Sequence, residues 1–241
     1  MPENNWEQQI KDLITKLQSD ELETRQQAAW ECHRMAQDKI DEAKLAIPVL
    51  KETMKDDDWA VRKMSTMALG ELDVREVIPT IIEYVRNDVE AEVRAGSAET
   101  LGVMKAVEGI PCLLNALEDN ADIVQQVATW SIGKIGKEAK NAIPKLIEFL
   151  KQPEDVGIVQ INRLAAWALG MIGDPVAIEP LKEALYKAAD HEMKFTAAYS
   201  LAQIEDEKGA GFVELQEMKE KYELDKTELE MFEEIKSKYS K

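Results

Sequence analysis

The sequence predicts an all-α solenoid, on three observations. A ten-residue phrase recurs six times, with successive copies starting 31 to 37 residues apart. A proline-led segment stands between most of the copies. Glycine and proline are few, 11 and 8 in 241 residues, which suits helices joined by short turns better than a loop-rich β-sandwich. Self-similarity at such a period marks stacked helical hairpins, none of which can bury its apolar stripe alone.

The phrase is clearest in Val61-Arg62-Lys63-Met64-Ser65-Thr66-Met67-Ala68-Leu69-Gly70, and other copies begin at Thr24, Val93, Val124, Ile161 and Met193. At about 100° per residue, positions 1, 5, 8 and 9 gather on one side of a helix. They hold Val61, Ser65, Ala68 and Leu69 in one copy and Ile161, Ala165, Ala168 and Leu169 in another. Small residues at positions 5 and 8 let a neighbouring helix approach, and position 9 supplies bulk. These are the second helices of the hairpins, predicted near 20–34, 57–70, 89–103, 120–134, 158–171 and 191–204. Asp20, Asp58, Asp88, Asn120, Asp155 and Asp190 are placed to cap them. The glycines of Gly133-Lys134-Ile135-Gly136 and Gly170-Met171-Ile172-Gly173 are expected to end them.

The first helices open at Ile47-Pro48, Ile78-Pro79, Ile110-Pro111 and Ile143-Pro144, where a residue without an N–H costs nothing. In Ile178-Glu179-Pro180 the proline comes one place later. Residues 37–44, 136–142 and 152–157 lengthen turns, as loop insertions along the edge of a stack do. The solenoid, about six hairpins, is predicted over 1–205.

An acidic segment, 206–241, follows. Phe212, Leu215, Met218 and Tyr222 keep helical spacing, as do Leu229, Phe232, Ile235 and Tyr239, and Thr227 with Glu230 reads as a capping box. Such a pair either caps the end of the stack or docks a partner or a second copy of the chain.

The segment Ala168-Leu169-Gly170-Met171-Ile172-Gly173-Asp174-Pro175-Val176-Ala177-Ile178-Glu179-Pro180-Leu181 resembles the HEAT-like repeat of phycobilisome lyases, and the resemblance extends over about 8–205. It implies an α-solenoid platform. Proteins of that kind include scaffolds, adaptors, transport receptors and some enzymes, so function has to be argued from the site.

Thirty basic residues against 47 acidic ones give a net charge of −17. That argues against nucleic acid and against an anionic membrane surface, both of which need clustered Lys and Arg. It favours neutral or basic protein partners. No run is long and apolar enough to span a bilayer, and the N-terminus lacks the pattern of a signal peptide, so a cytoplasmic location is expected. Cys32 and Cys112 sit in apolar helical stretches and read as small core residues. The histidines are His33 and His191 alone. The resemblance extends to HEAT-type deoxyhypusine hydroxylases, whose di-iron site needs several His-Glu pairs, whereas this chain has one, His191-Glu192, read as exposed and capping a helix. No metal, cofactor or catalytic residue is expected.

Position seven of the phrase carries the functional expectation. It holds Trp30, Met67, Glu99, Trp130, Trp167 and Tyr199, about 120° away from the buried first position. Met64, Leu164 and Met171 flank the row at positions 4 and 11. On the concave side of a HEAT-like stack, Trp30, Met64, Met67, Trp130, Leu164, Trp167, Met171 and Tyr199 would form an apolar, aromatic face that anchors a protein or peptide partner. Two other readings stay open: the row packs between layers, or the terminal helices cover it. The leading function is a non-catalytic scaffold or adaptor. The alternative implied by the resemblance is a phycobilisome-lyase-like protein that binds or acts on an open-chain tetrapyrrole. Arg62 and Arg94, at position two, are expected to bridge to neighbouring acidic residues.

Overall fold

A computed structural model describes residues 5–152, 161–204 and 209–240, and among them helices and short turns make up the whole chain. Internal packing divides the chain into two compact units, Met1–Ser131 and Ile132–Lys241. In the first, α1 (Trp6–Leu17) pairs with α2 (Leu22–Gln37), α3 (Ile47–Thr53) with α4 (Trp59–Glu71), and α5 (Ile78–Asn87) with α6 (Ala91–Val103). Next come α7 (Ile110–Ala116) and α8 (Asp122–Ile135). In the second, α9 (Ile143–Leu150) pairs with α10 (Ile161–Ile172), α11 (Ile178–Lys187) with α12 (His191–Ile204), and α13 (Ala210–Lys221) with α14 (Lys226–Lys238). Short 3-10 turns lead into α3, α5, α7, α9 and α11. Pro48, Pro79, Pro111 and Pro144 occupy the first turns of α3, α5, α7 and α9, where the sequence put them. The lengthened turn at 153–157 and the expected cap Asp155 lie outside the described residues.

The buried stripe is as predicted: Val61, Ser65, Ala68 and Leu69 are sealed from solvent, as are Ala165, Ala168 and Leu169, while Ile161 is half-buried. Position six is buried too, through Thr66, Ala98, Thr129, Ala166 and Ala198. A second helix lies against a second helix on each side: α2 packs on α4, α4 on α6, and α10 on α12.

This approach is close, and it changes the reading of the glycines. Gly70, Gly102, Gly133 and Gly170 lie inside α4, α6, α8 and α10 and do not end them. Each faces position eight of the next repeat. A Cβ on Gly102 would stand 2.8 Å from the Ser131 Cα, and one on Gly170 would stand 2.7 Å from the Ser200 Cα. Gly136 and Gly173, both at positive φ, are the glycines that terminate helices as expected.

A polar ladder runs beside this contact in the first unit. Arg25 Nε and Nη2 donate to the two Asp56 carboxylate oxygens at 2.8 and 3.2 Å. Arg62 grips Asp88 in the same way, at 3.1 and 3.1 Å, and Arg94 grips Asp119 at 2.8 and 2.8 Å. The remaining donors of each guanidinium tie down the turn of its own repeat: Arg62 Nη1 reaches the Asp56 and Asp57 carbonyls at 2.9 Å each, and Arg94 Nη1 reaches the Asp88 carbonyl at 3.0 Å. Arg62 and Arg94 thus bridge to acidic neighbours as expected, and a fork of five donors fits the double task.

The ladder also explains why some expected caps differ. Asp58 does cap α4, accepting from Ala60 and Val61 amides at 3.0 and 3.1 Å, and Asp190 accepts from the Met193 amide at 2.7 Å. Asp88 is instead held by Arg62, and the residues in the cap positions of α2 and α6 are Glu21 and Glu90, with no side-chain cap bond. At the C-terminus the capping box is Asp225 with Glu228, two residues before the expected pair Thr227 and Glu230.

Three outcomes are expected. Gly102→Ala, which meets backbone, will destabilise the protein by about 2 kcal/mol in urea unfolding. Gly96→Ala, which meets only the flexible Lys63 chain, will stay within about 1 kcal/mol of the wild type. The Arg94 hydrogen bonds hold the Asp119 carboxyl below its ordinary value of 3.8. A depressed carboxylate stabilises the fold above that value, and the contribution is lost as pH falls through the folded-state value. Arg94→Ala will therefore cost about 2 kcal/mol at neutral pH, and the gap to wild type will narrow in melts run below pH 3.8, leaving the part due to the backbone carbonyls that Arg94 also holds.

Candidate functional site

Consecutive second helices bury both their flanks, so each opens to solvent mainly around position seven. In the first unit this leaves Trp30 on α2, Met64 and Met67 on α4, Glu99 on α6 and Trp130 on α8. Trp30 is 52% exposed, and the others are half-buried. Trp30 walls an open depression of about 210 Å³ with Gln9, Leu13, Lys16 and Gln27. Further along the face, Met67, Glu71, Glu99 and His33 border a crevice of about 10 Å³, room for a single water and no more.

Charges here are few and perturbed. Burial lifts the Glu99 carboxyl above its ordinary value, with Lys63 pulling the other way and Glu71 adding to the rise. Burial lowers His33, against the pull of Glu71 and with the help of Lys63, so the imidazole is held toward its neutral form. Burial pushes the Cys32 thiol up to about 12 and the Cys112 thiol to about 11, far from the values of reactive cysteines. Among the described residues no group of three His, Cys, Asp or Glu side chains is placed to hold a metal ion. No described helix is long and apolar enough to cross a membrane.

In the second unit the row is partly taken up by packing. Leu164 and Trp167 are half-buried and Met171 is exposed. The Trp167 ring lies over Gly133, so a Cβ there would overlap the indole, and one side of the ring is committed to the preceding helix. Tyr199 overturns the expectation of an exposed anchor, since it is 5% exposed beneath α14. Its hydroxyl donates to Glu234 Oε2 at 2.9 Å and accepts from Gln203 Nε2 at 2.7 Å. Gln203 also reaches Glu234 Oε1 at 3.0 Å.

The terminal hairpin is clamped at both ends of α12. Lys238 Nζ donates to the Ala202 and Gln203 carbonyls at 2.8 Å each, and the Tyr239 hydroxyl donates to Ala202 at 2.9 Å. At the other end His191 Nε2 lies 2.9 Å from Glu228 Oε1, with the Tyr222 ring edge-on at 4.9 Å. His191 is half-buried in this clamp, a correction to its reading as an exposed capping residue. The covering of Tyr199 depends on contacts across 35 residues of sequence, which no local spacing encodes.

Leu22, Trp59, Val89 and Ile123, large apolar side chains outside the predicted face, also stand in solvent on the first unit. Their one shared signal was position: each falls in or just after the turn before a phrase.

Comparison with known proteins agrees with this architecture. The HEAT repeats family matches residues 10–102, 78–161 and 110–202. Among solved structures, an engineered protein is similar at 20% identity and a TM-score of 0.65, over 81% of this chain and 96% of that one. The complex of CpcE and CpcF of phycocyanin lyase from Nostoc sp. PCC7120 is similar at 21% identity and a TM-score of 0.61, over 95% and 94%. A designed armadillo repeat protein in complex with the peptide (KR)4 is similar at 18% identity and a TM-score of 0.59, over 81% and 99%. No curated protein matches in sequence.

Burial pushes the Tyr199 phenol up to about 12, with the Gln203 donor opposing and Glu234 adding to the rise. A raised acid value means that stability present below pH 10 is lost as pH climbs toward 12. In alkaline spectrophotometric titration, the wild-type minus Tyr199→Phe difference will show an ionisation near 12, and removal of α14 will return it toward 10.

Proposed function

This chain belongs to the HEAT-repeat family, and we propose that it is a non-catalytic scaffold that binds a segment of a protein partner on the face of its second helices. The observation that carries the reading is Trp30, an indole half open to solvent beside the half-buried thioethers Met64 and Met67. Exposed Trp and Met are costly on a face with no use for them, and both residue types are enriched at interface cores. The second unit, taken by itself, offers a surface of the same kind in Met171, Leu164 and Trp167. Repeat proteins of this fold bind peptides, as the designed armadillo complex illustrates, which supports the reading. Tyr199, sealed beneath α14, takes no part in it.

A second reading follows from the similarity to CpcE and CpcF of phycocyanin lyase. There the aromatic face would stack on an open-chain tetrapyrrole. The two readings separate in one pair of experiments. Trp30→Ala with Met67→Ala, folded by circular dichroism, will lose at least about tenfold in capture of a cross-linked protein partner from native extract. Titration with a linear tetrapyrrole will give no saturable spectral change. Unaltered capture by the double variant refutes the assigned face, and a saturable shift transfers the face to the chromophore.

A further inference from the structure

Leu22, Trp59, Val89 and Ile123 lie off the row of position seven. Val89 is 84% exposed and Trp59 40%. They come from four different hairpins, at the turns that join α1 to α2, α3 to α4, α5 to α6 and α7 to α8. The arginine ladder makes these turns neighbours. Arg25 reaches from the first turn to Asp56 in the second, Arg62 to Asp88 in the third, and Arg94 to Asp119 in the fourth. The four apolar side chains therefore line one edge of the first unit, one per repeat, at steps of about 10 Å.

The charge on that edge is one-sided. Glu21, Glu23, Asp57, Glu90, Glu92 and Asp122 are all exposed on the same turns. The guanidiniums of Arg25, Arg62 and Arg94 are already engaged with Asp56, Asp88 and Asp119, and the exposed cations nearby are Lys55 and, in the last turns of α1 and α5, Lys16 and Arg86. Acidic residues in the first turn of a helix suit its dipole, which accounts for Glu23, Glu92 and Asp122. A dipole gives no reason for an exposed indole, valine and isoleucine between them.

We propose that this edge docks a basic amphipathic segment of a partner protein, its apolar residues seated over Leu22, Trp59, Val89 and Ile123 and its Lys or Arg side chains against the carboxylates. The spacing suits a helix, in which residues seven apart stand about 10.5 Å from one another. The surface is separate from the face of the second helices and stands or falls independently of it. Association here is steered by charge and held by the apolar contacts, so it weakens with salt.

The test uses the full chain and two fluorescein-labelled peptides of 22 residues, built from lysine and alanine. One has leucine at every seventh place and the other has serine there. The leucine peptide is expected to bind saturably and at least about tenfold more tightly than the serine peptide. Trp59→Ser, Val89→Ser with Ile123→Ser, and Glu90→Lys with Glu92→Lys are each expected to weaken it by about tenfold, and Trp30→Ala to leave it unchanged. Val89 projects so far into solvent that its variant tests the edge even if Trp59→Ser loses helicity. Equal affinity for the two peptides, or edge variants that bind as the wild type does, would overturn the proposal. If Trp30→Ala alone weakens binding, the edge is excluded and the face of the second helices is the site.

Discussion

The close approach of consecutive second helices is the constraint on which the rest of this structure depends. Glycine at position ten stands against a small residue at position eight of the following repeat: Gly102 against Ser131, Gly170 against Ser200. At that separation the helices bury positions five, six, eight, nine and ten, and a helix such as α6 keeps only a narrow strip in contact with water. Small side chains on both flanks explain why these helices look weakly amphipathic although they are core elements. The open strip is what function can use, and its residues are the ones most free of packing duty.

The same separation sets the reach of the polar ladder. An arginine at position two spans to the turn of the next repeat only when the helices stand this near, and it then joins two turns with paired hydrogen bonds. Such pairs, largely withdrawn from water, carry more than surface ion pairs do, because the guanidinium is held at once by a carboxylate and by backbone carbonyls. They also spend the basic residues. Exposed carboxylates stand in the first turns of helices at Glu23, Glu92 and Asp122, where the dipole tolerates them. Position two reads Gln125, Asn162 and Lys194 in the later copies, so the guanidinium ladder ends with Arg94. Gln125 keeps one part of the task, donating to the Asp119 carbonyl at 2.6 Å.

Periodicity made the fold legible. The phrase, the prolines of the first helices and the buried stripe all follow from short-range spacing, and the structure places them where spacing does. The misreadings share a cause. Gly133 and Gly170 looked like helix ends because their partners, Ala168 and Ser200, belong to the next repeat. Asp88 looked like a cap because Arg62, 26 residues earlier, was not in view. In Asp225-Lys226-Thr227-Glu228-Leu229-Glu230 two capping boxes overlap, and the one that forms is Asp225 with Glu228. For the candidate face, residue type and register at Trp30, Met64 and Met67 were readable, but the fate of Trp167 and Tyr199 was settled by Gly133 and Glu234, both distant in sequence.

The terminal hairpin packs on α12 through a glycine contact of its own, made by a first helix instead of a second one. Gly211 in α13 faces α12 so closely that a Cβ would stand 2.5 Å from the Ala198 carbonyl oxygen and 2.6 Å from the Ala202 nitrogen. A layer admitted on those terms presents its following helix to the same strip that the earlier repeats leave open. Thus α14 comes to lie over Tyr199, with Phe232 and Ile235 buried and the rest of its hold made from Glu228, Glu234 and Lys238. The outer side of α14 is polar, with Glu230, Glu233 and Lys236 exposed. The covering of the last aromatic position therefore follows from the close seating of α13 on α12.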